Sequence, residues 1–241
     1  MKDGFIKVAA ATPEVRVADV EFNTDTAIEY IKTAERHGAK LIVLPELGLT
    51  AYTCGDLFLQ TDLIRRAEQS LLSIAAETAE YDILAVVGLP VSKNGKLYNC
   101  SAFLKDGEIL GFVPKTYIPN YGEFYERRHF NTLGCNTTVF FGGRDVPIGN
   151  KLIFAARNMP EFSVAAEICE DVWRLFRRAV LIPKTVRQSS STNPQAMRSS
   201  ARAAGAEPLS RFSHQRRLAH IFIRMPARAN LQPIWSFRDI I

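Results

Sequence analysis

The chain has 241 residues, 47% of them hydrophobic and 23% charged, a composition suited to one globular domain with a sizeable core. No apolar run reaches the roughly 18 residues a membrane span needs, and the N-terminus has no signal-peptide pattern, so no membrane role is expected and the cytoplasm is the predicted compartment. The net charge of +5 suggests a nucleic-acid partner until its distribution is followed. Through Trp173 there are 17 Lys and Arg against 23 Asp and Glu, a net of −6; from Arg174 onward the counts are 13 and 2, a net of +11.

In chain order, Phe5-Ile-Lys-Val-Ala-Ala-Ala is a short strand-type run. Asn23 with Asp25 can cap a helix from about Thr24 to His37, whose Ala27, Ile28, Tyr30, Ile31 and Ala34 form an apolar face before Gly38 ends it. Leu41 to Leu44 is the second strand. A second helix from about Thr61 to Ala79 turns Leu63, Ile64, Ala67, Leu71, Leu72, Ile74 and Ala75 inward. Ile83 to Leu89, Tyr98 to Lys105 and Glu108 to Val113 read as strands, the last two joined by a hairpin turn at Lys105-Asp106-Gly107. Thr138 to Phe141, Lys151 to Ala155 and Phe162 to Ala166 continue the pattern. Helices alternate with apolar strands, so the class is α/β. Cys54, Cys100, Cys135 and Cys169 lack metal or CxxC spacing, and His37, His129, His214 and His220 form no ligand cluster. That fits a reducing compartment and predicts no metal.

Three strand ends carry chemistry. Leu41-Ile-Val-Leu-Pro-Glu46 ends in a carboxylate, Gly111-Phe-Val-Pro-Lys115 in an ammonium, and Phe162-Ser-Val-Ala-Ala-Glu-Ile-Cys169 in a thiol. The thiol is flanked by Glu170 and Asp171, whose charge opposes its ionisation, so it needs a base held against it. Glu46 can take the thiol proton, Cys169 can attack a carbonyl carbon, and Lys115 can stabilise the resulting oxyanion. Each residue alone has a plainer explanation: a lone strand-end cysteine is usually a small core hydrophobe, and a Glu or Lys after Pro is usually a loop charge.

Together with their neighbours, the three segments resemble the nitrilase superfamily of carbon-nitrogen hydrolases, whose Glu-Lys-Cys triad sits in motifs of this kind. Leu44-Pro-Glu-Leu-Gly-Leu-Thr-Ala-Tyr-Thr-Cys-Gly-Asp-Leu-Phe58, Leu97-Tyr-Asn-Cys-Ser-Ala102, the run Pro114 to Phe130, and Glu167-Ile-Cys-Glu-Asp-Val-Trp173 are similar to one branch, the N-terminal glutaminase domain of glutamine-dependent NAD synthetases. The resemblance covers residues 1–173. It implies an α-β-β-α sandwich and hydrolysis of L-glutamine through a Cys169 thioester. Glu46 would act as both acid and base, with Lys115 and a backbone N–H near Glu170 on the oxyanion. It further implies Glu123 as a second carboxylate orienting the lysine and water, and Tyr52, Tyr121 and Glu170 on the substrate. No cofactor is implied for this step; ATP, Mg and deamido-NAD belong to a synthetase domain that this sequence lacks. The intact family forms homo-oligomers, which are not expected for this chain. Two other readings are another nitrilase-branch amidase or carbamoylase, and a non-enzymatic binding module with a basic arm.

The resemblance stops at Trp173, where the charge changes sign. Residues 174–241 carry twelve Arg and one Lys and show neither sustained helical periodicity nor paired strand alternation. A nucleic-acid-binding arm would be expected to carry more Lys and Gly, so no nucleic acid is expected as a partner. Read from the third base of each codon, the segment Ile221 to Ile241 permits Ile-Tyr-Thr-Asp-Ala-Gly-Glu-Gly-Glu-Ser-Thr-Thr-Asp-Leu-Val-Phe-Gln-Gly-His-Asn, which resembles a strand and loop of these glutaminase domains. The chain therefore reads as a partial glutaminase domain, residues 1–173, followed by an out-of-frame tail, residues 174–241. The tail is expected to supply no matching strands. The fold would then be incomplete at its C-terminus and the chain an inactive fragment.

Overall fold

The computed structural model describes residues 6–157 and 159–173, together with the strand residues 219–224 and 235–236. Eleven strands are placed among them: β1 (Val8–Ala10), β2 (Leu41–Val43), β3 (Leu84–Lys93), β4 (Lys96–Lys105), β5 (Glu108–Pro114), β6 (Thr137–Phe141), β7 (Arg144–Ile148), β8 (Phe154–Ala156), β9 (Met159–Ile168), β10 (Ala219–Arg224) and β11 (Trp235–Ser236). They form an eight-stranded sheet, ordered β11-β1-β2-β3-β4-β5-β7-β6, and a three-stranded sheet, ordered β10-β9-β8. Two helices, α1 (Val20–Arg36) and α2 (Thr61–Glu77), accompany the larger sheet.

The layers follow from strand periodicity, because successive side chains point to opposite faces. Ala85, Val87, Leu89 and Val91 of β3 and Tyr98, Cys100, Ala102 and Leu104 of β4 share one buried cluster with Ile28 and Ile31 of α1 and Leu71 and Ile74 of α2. The intervening Val86 and Phe103 belong to a second cluster, with Leu41, Val113, and Phe162, Val164 and Ala166 of β9. Phe103 stacks on Phe154 of β8, with ring centroids 3.8 Å apart and planes 15° apart. The larger sheet is thus covered by helices on one face and by the smaller sheet on the other. Burial on both faces is why β3 and β4 read as nearly continuous apolar runs. The four-layer sandwich is present here as three layers among the described residues.

Several boundaries depart from the sequence expectation for definite reasons. Helix α1 starts four residues earlier than Thr24, capped by Asp19, whose side chain accepts the Phe22 N–H at 3.2 Å. Asn23 is a buried bracket instead: its side chain bonds the N–H and C=O of Arg16 and the carbonyl of Leu49. The β3–β4 hairpin turns at Asn94-Gly95, both at positive φ (51° and 72°), the Asn-Gly signature of a tight two-residue turn. The expected turn at Asp106-Gly107 has the same character, with φ of 53° and 78°.

Two stretches of the tail, which was expected to supply no matching strands, are paired with strands. Ala219-His-Ile-Phe-Ile-Arg224 pairs antiparallel with β9 along its whole length, from Ala219 opposite Ile168 to Arg224 opposite Ser163. Trp235 and Ser236 pair in parallel with Ala9 and Ala10. A compact Ile-Phe-Ile run has high strand propensity, and it was hidden by the Arg-rich average of the segment around it. The other residues of 174–241 lie outside the described residues.

Candidate active site

Each chemical group sits where a strand of the layered core gives way to a turn. Glu46 follows β2 in a tight bend: the Gly48 N–H donates to the Pro45 carbonyl at 3.1 Å, Thr50 N–H to Leu47 at 3.1 Å, and Leu49 N–H to the β3 carbonyl of Gly88 at 3.2 Å. Gly88 makes that docking sterically allowed. A Cβ there would lie 2.3 Å from the Pro45 oxygen and 2.6 Å from the Leu47 nitrogen, both backbone atoms that cannot swing aside. Lys115 directly follows β5, and its N–H donates to the Asn99 carbonyl of β4 at 2.8 Å. Cys169 follows β9 and opens a 3-10 turn, Cys169–Trp173. Its φ of 48° is left-handed, a conformation that costs a non-glycine residue energy and must be held by its surroundings.

The ammonium of Lys115 is the centre of the site. It donates to Glu46 Oε1 at 2.7 Å and to both oxygens of Glu126, at 2.8 and 2.9 Å. Lys115 is 1% exposed, Glu46 4% and Glu126 4%. The Asn99 amide also donates to Glu46 Oε1, at 2.6 Å, so that oxygen is doubly occupied. Oε2 of Glu46 is buried without a hydrogen-bond partner among the described residues. One oxygen is fixed and the other is open to receive a proton, the arrangement a general base needs.

Burial works against the Lys115 charge, but Glu46, Glu126 and Cys169 outweigh it and hold the ammonium above the ordinary lysine range. The surroundings thus favour the protonated form of Lys115. Glu126 is pushed above the ordinary carboxylate range by burial and by the nearby Glu46, with Lys115 and the Tyr52 hydroxyl pulling the other way. The Cys169 charge bears on Lys115, which puts the thiol within electrostatic reach of the cluster.

The predicted site residues are distributed as follows. Glu46 and Lys115 meet directly. Glu123 is exposed, and the second carboxylate on Lys115 is Glu126, eleven residues after the lysine rather than eight. The correction follows from local backbone: Glu126 opens a 3-10 turn, Glu126–Arg128, whose first residue is buried, whereas Glu123 lies in the exposed loop before it. Tyr52 donates its hydroxyl to Glu126. Tyr121, 57% exposed, donates its hydroxyl to Glu170 at 2.9 Å, so two of the expected substrate contacts pair with each other. Two buried polar positions beside these residues were not singled out. Asn99 is a buried polar residue inside an apolar strand, which was itself the available signal. Asp171 was read as a charge beside the thiol and as part of the motif around it, with no role of its own, but it is buried and accepts backbone N–H groups from Thr116, Tyr117 and Ile168. Among the described residues no group of three or more His, Cys, Asp or Glu is placed to hold a metal ion, and no helix is long and apolar enough to cross a membrane.

Comparison with known proteins gives one consistent answer. The carbon-nitrogen hydrolase family profile matches residues 7–179. The glutamine-dependent NAD(+) synthetase of Mycobacterium tuberculosis (strain H37Rv) is 38% identical over 171 residues, 70% of this chain and 25% of that protein. The protein of the same name from Thermotoga maritima is 34% identical over 168 residues, 70% of this chain and 26% of that protein. A crystal structure of a glutamine-dependent NAD(+) synthetase from Cytophaga hutchinsonii superposes with a TM-score of 0.60 at 29% identity, over 64% of this chain and 26% of that one. The chain spans about a quarter of the length of these relatives. With a family profile over residues 7–179, the chain belongs to the carbon-nitrogen hydrolase family.

Proposed function

We propose that this chain carries the glutamine-hydrolysing unit of a glutamine-dependent NAD synthetase, with Glu46, Lys115 and Cys169 as its catalytic residues. The observation behind the reading is the Glu46 carboxylate, with Oε1 fixed by Lys115 and Asn99 and Oε2 buried and open. In this reading Glu46 Oε2 takes the proton from Cys169 Sγ, and the thiolate adds to the side-chain amide carbon of glutamine. Lys115 and a backbone N–H near Glu170 receive the oxyanion. Glu46 returns its proton to the departing ammonia, leaving a thioester, then activates the water that releases glutamate. Glu126 holds the Lys115 ammonium in line, and Tyr52, Tyr121 and Glu170 take the substrate. No cofactor enters these steps. The ammonia would serve ATP- and Mg-dependent amidation of deamido-NAD on a synthetase domain, in a cytoplasmic protein.

The same proposal takes residues 174–241 as translation out of frame, so that glutamine contacts contributed after Cys169 are lost and the chain as it stands does not hydrolyse glutamine. One set of measurements tests both parts. The gene is resequenced around the Trp173 codon, and ammonia release from glutamine is followed for the 241-residue chain, a frame-restored chain, and its Cys169→Ala variant. The expected result is release by the restored chain alone. A folded restored chain that releases no ammonia, or a Cys169→Ala variant that still does, overturns the catalytic assignment; turnover by the 241-residue chain overturns the tail assignment.

A further inference from the structure

The reactive strand end and the cationic strand end are not covalent neighbours, yet chemistry between them needs their separation fixed to a fraction of an ångström. The Asp171 side chain joins them. Asp171 is 1% exposed; its Oδ1 accepts the N–H of Thr116 at 3.0 Å and of Tyr117 at 2.8 Å, and its Oδ2 accepts the N–H of Ile168 at 3.2 Å and lies 3.3 Å from the Thr116 nitrogen. Thr116 and Tyr117 immediately follow Lys115, and Ile168 immediately precedes Cys169. One carboxylate therefore accepts backbone donors on both sides of the site, from Thr116 and Tyr117 just beyond the end of β5 and from Ile168, the last residue of β9. Charge-assisted bonds of this kind are stronger than neutral ones, which suits a group that must hold Cys169 at a φ of 48°.

We propose that Asp171 is a positioning residue, a carboxylate clamp that sets the Cys169 thiol against Lys115 and Glu46. The charge of Asp171 alone would disfavour a thiolate two residues away, as would Glu46, Glu126, Glu167 and Glu170; Lys115 is the cation that offsets them. The clamp's effect through geometry and its effect through charge thus have opposite signs. The proposal rests on the role assigned to Cys169, but its test uses no glutamine, so a failure of one is distinguishable from a failure of the other.

The experiment is alkylation of the 241-residue chain with iodoacetamide across pH, read at each cysteine by peptide mass spectrometry. Asp171→Asn keeps the volume but turns one oxygen into an NH2 group facing a backbone N–H. The expected result is a pH midpoint for Cys169 moved upward and a rate lowered about tenfold or more at neutral pH, while exposed Cys135 is unchanged. A folded variant with a lower or unchanged midpoint overturns the clamp. Should that variant fail to fold, hydrogen exchange on the unsubstituted chain decides: the Thr116, Tyr117 and Ile168 amides, held by one carboxylate, are expected to open together with a common protection, and three unrelated rates overturn the proposal.

Discussion

Two charge clusters in this molecule are near mirror images. At the site one ammonium, Lys115, bridges two carboxylates, Glu46 and Glu126; at the ends of the central strands β2, β3 and β4 one carboxylate, Asp82, bridges two ammoniums, Lys40 at 2.7 Å and Lys105 at 3.2 Å. The closest distance in each is 2.7 Å. What differs is water: the Lys115 and Glu46 side chains are fully inaccessible, whereas Asp82 is 72% exposed. The same pair geometry is a weak convenience outside and an obligatory compensation inside, because a buried charge that loses its partner has no solvent to turn to. Screening separates the two cases, since the Debye length falls to about 3 Å in 1 M salt and acts on exposed pairs far more than on buried ones.

The largest break in the comparison is Lys115→Met, which keeps the stem and removes the charge. Glu46 and Glu126 are then left facing each other, and a loss of about 3–5 kcal/mol in urea unfolding at pH 7 is expected. The deficit should shrink as the pH is lowered and one of the facing carboxylates takes a proton, and it should persist in 1 M salt. In the unsubstituted chain the raised Lys115 pKa gives the opposite edge: its contribution is complete below the ordinary value of 10.5 and is lost as pH rises beyond that toward the folded value. A deficit that vanishes in salt would mean that the cluster behaves as a surface pair.

A smaller effect distinguishes the two candidate carboxylates. Glu126→Gln preserves shape but removes the charged partner of Lys115 and of the Tyr52 hydroxyl, and a loss of about 1.5–3 kcal/mol is expected. Glu123→Gln, in the exposed loop, should stay within about 0.5 kcal/mol. Reversed magnitudes would return the supporting role to Glu123.

That pair also shows where sequence reading reaches its limit. Glu46 and Lys115, which meet in the structure, were legible because each closes an apolar run of strand type, and burial of the run dictates where its end lies; Cys169 closes a third such run. Glu123 and Glu126 share a loop with no such periodicity, and a three-residue turn decides which one goes inward. The layered core was legible for the same reason as that pair, through alternating positions such as Val86 and Val87 that face different clusters. Arg144-Asp-Val-Pro-Ile148 was missed as a strand because β7 buries only Val146 and Ile148 and carries a proline. Asp171 was hidden more deeply, since nothing in a Cys-Glu-Asp sequence says that the second carboxylate turns back onto backbone 54 and 55 residues earlier.

The smallest expected effect belongs to the outer cluster. Hydrogen bonds from Lys40 and then Lys105 hold the Asp82 carboxyl below its ordinary value. Because that pKa is lowered by folding, the contribution is present above the unfolded value of 3.8 and is lost as pH falls through the folded one. Most of Asp82 faces water, so the contribution is discounted to about 0.2–1 kcal/mol for Asp82→Asn in urea unfolding at pH 7. The same substitution in 1 M salt should cost nothing measurable, and the variant should lose part of the acid-side slope that the unsubstituted chain shows. A loss as large as that of Lys115→Met, or one that resists salt, would show that exposure does not set the strength of these bridges, and the distinction between the two clusters would fall with it.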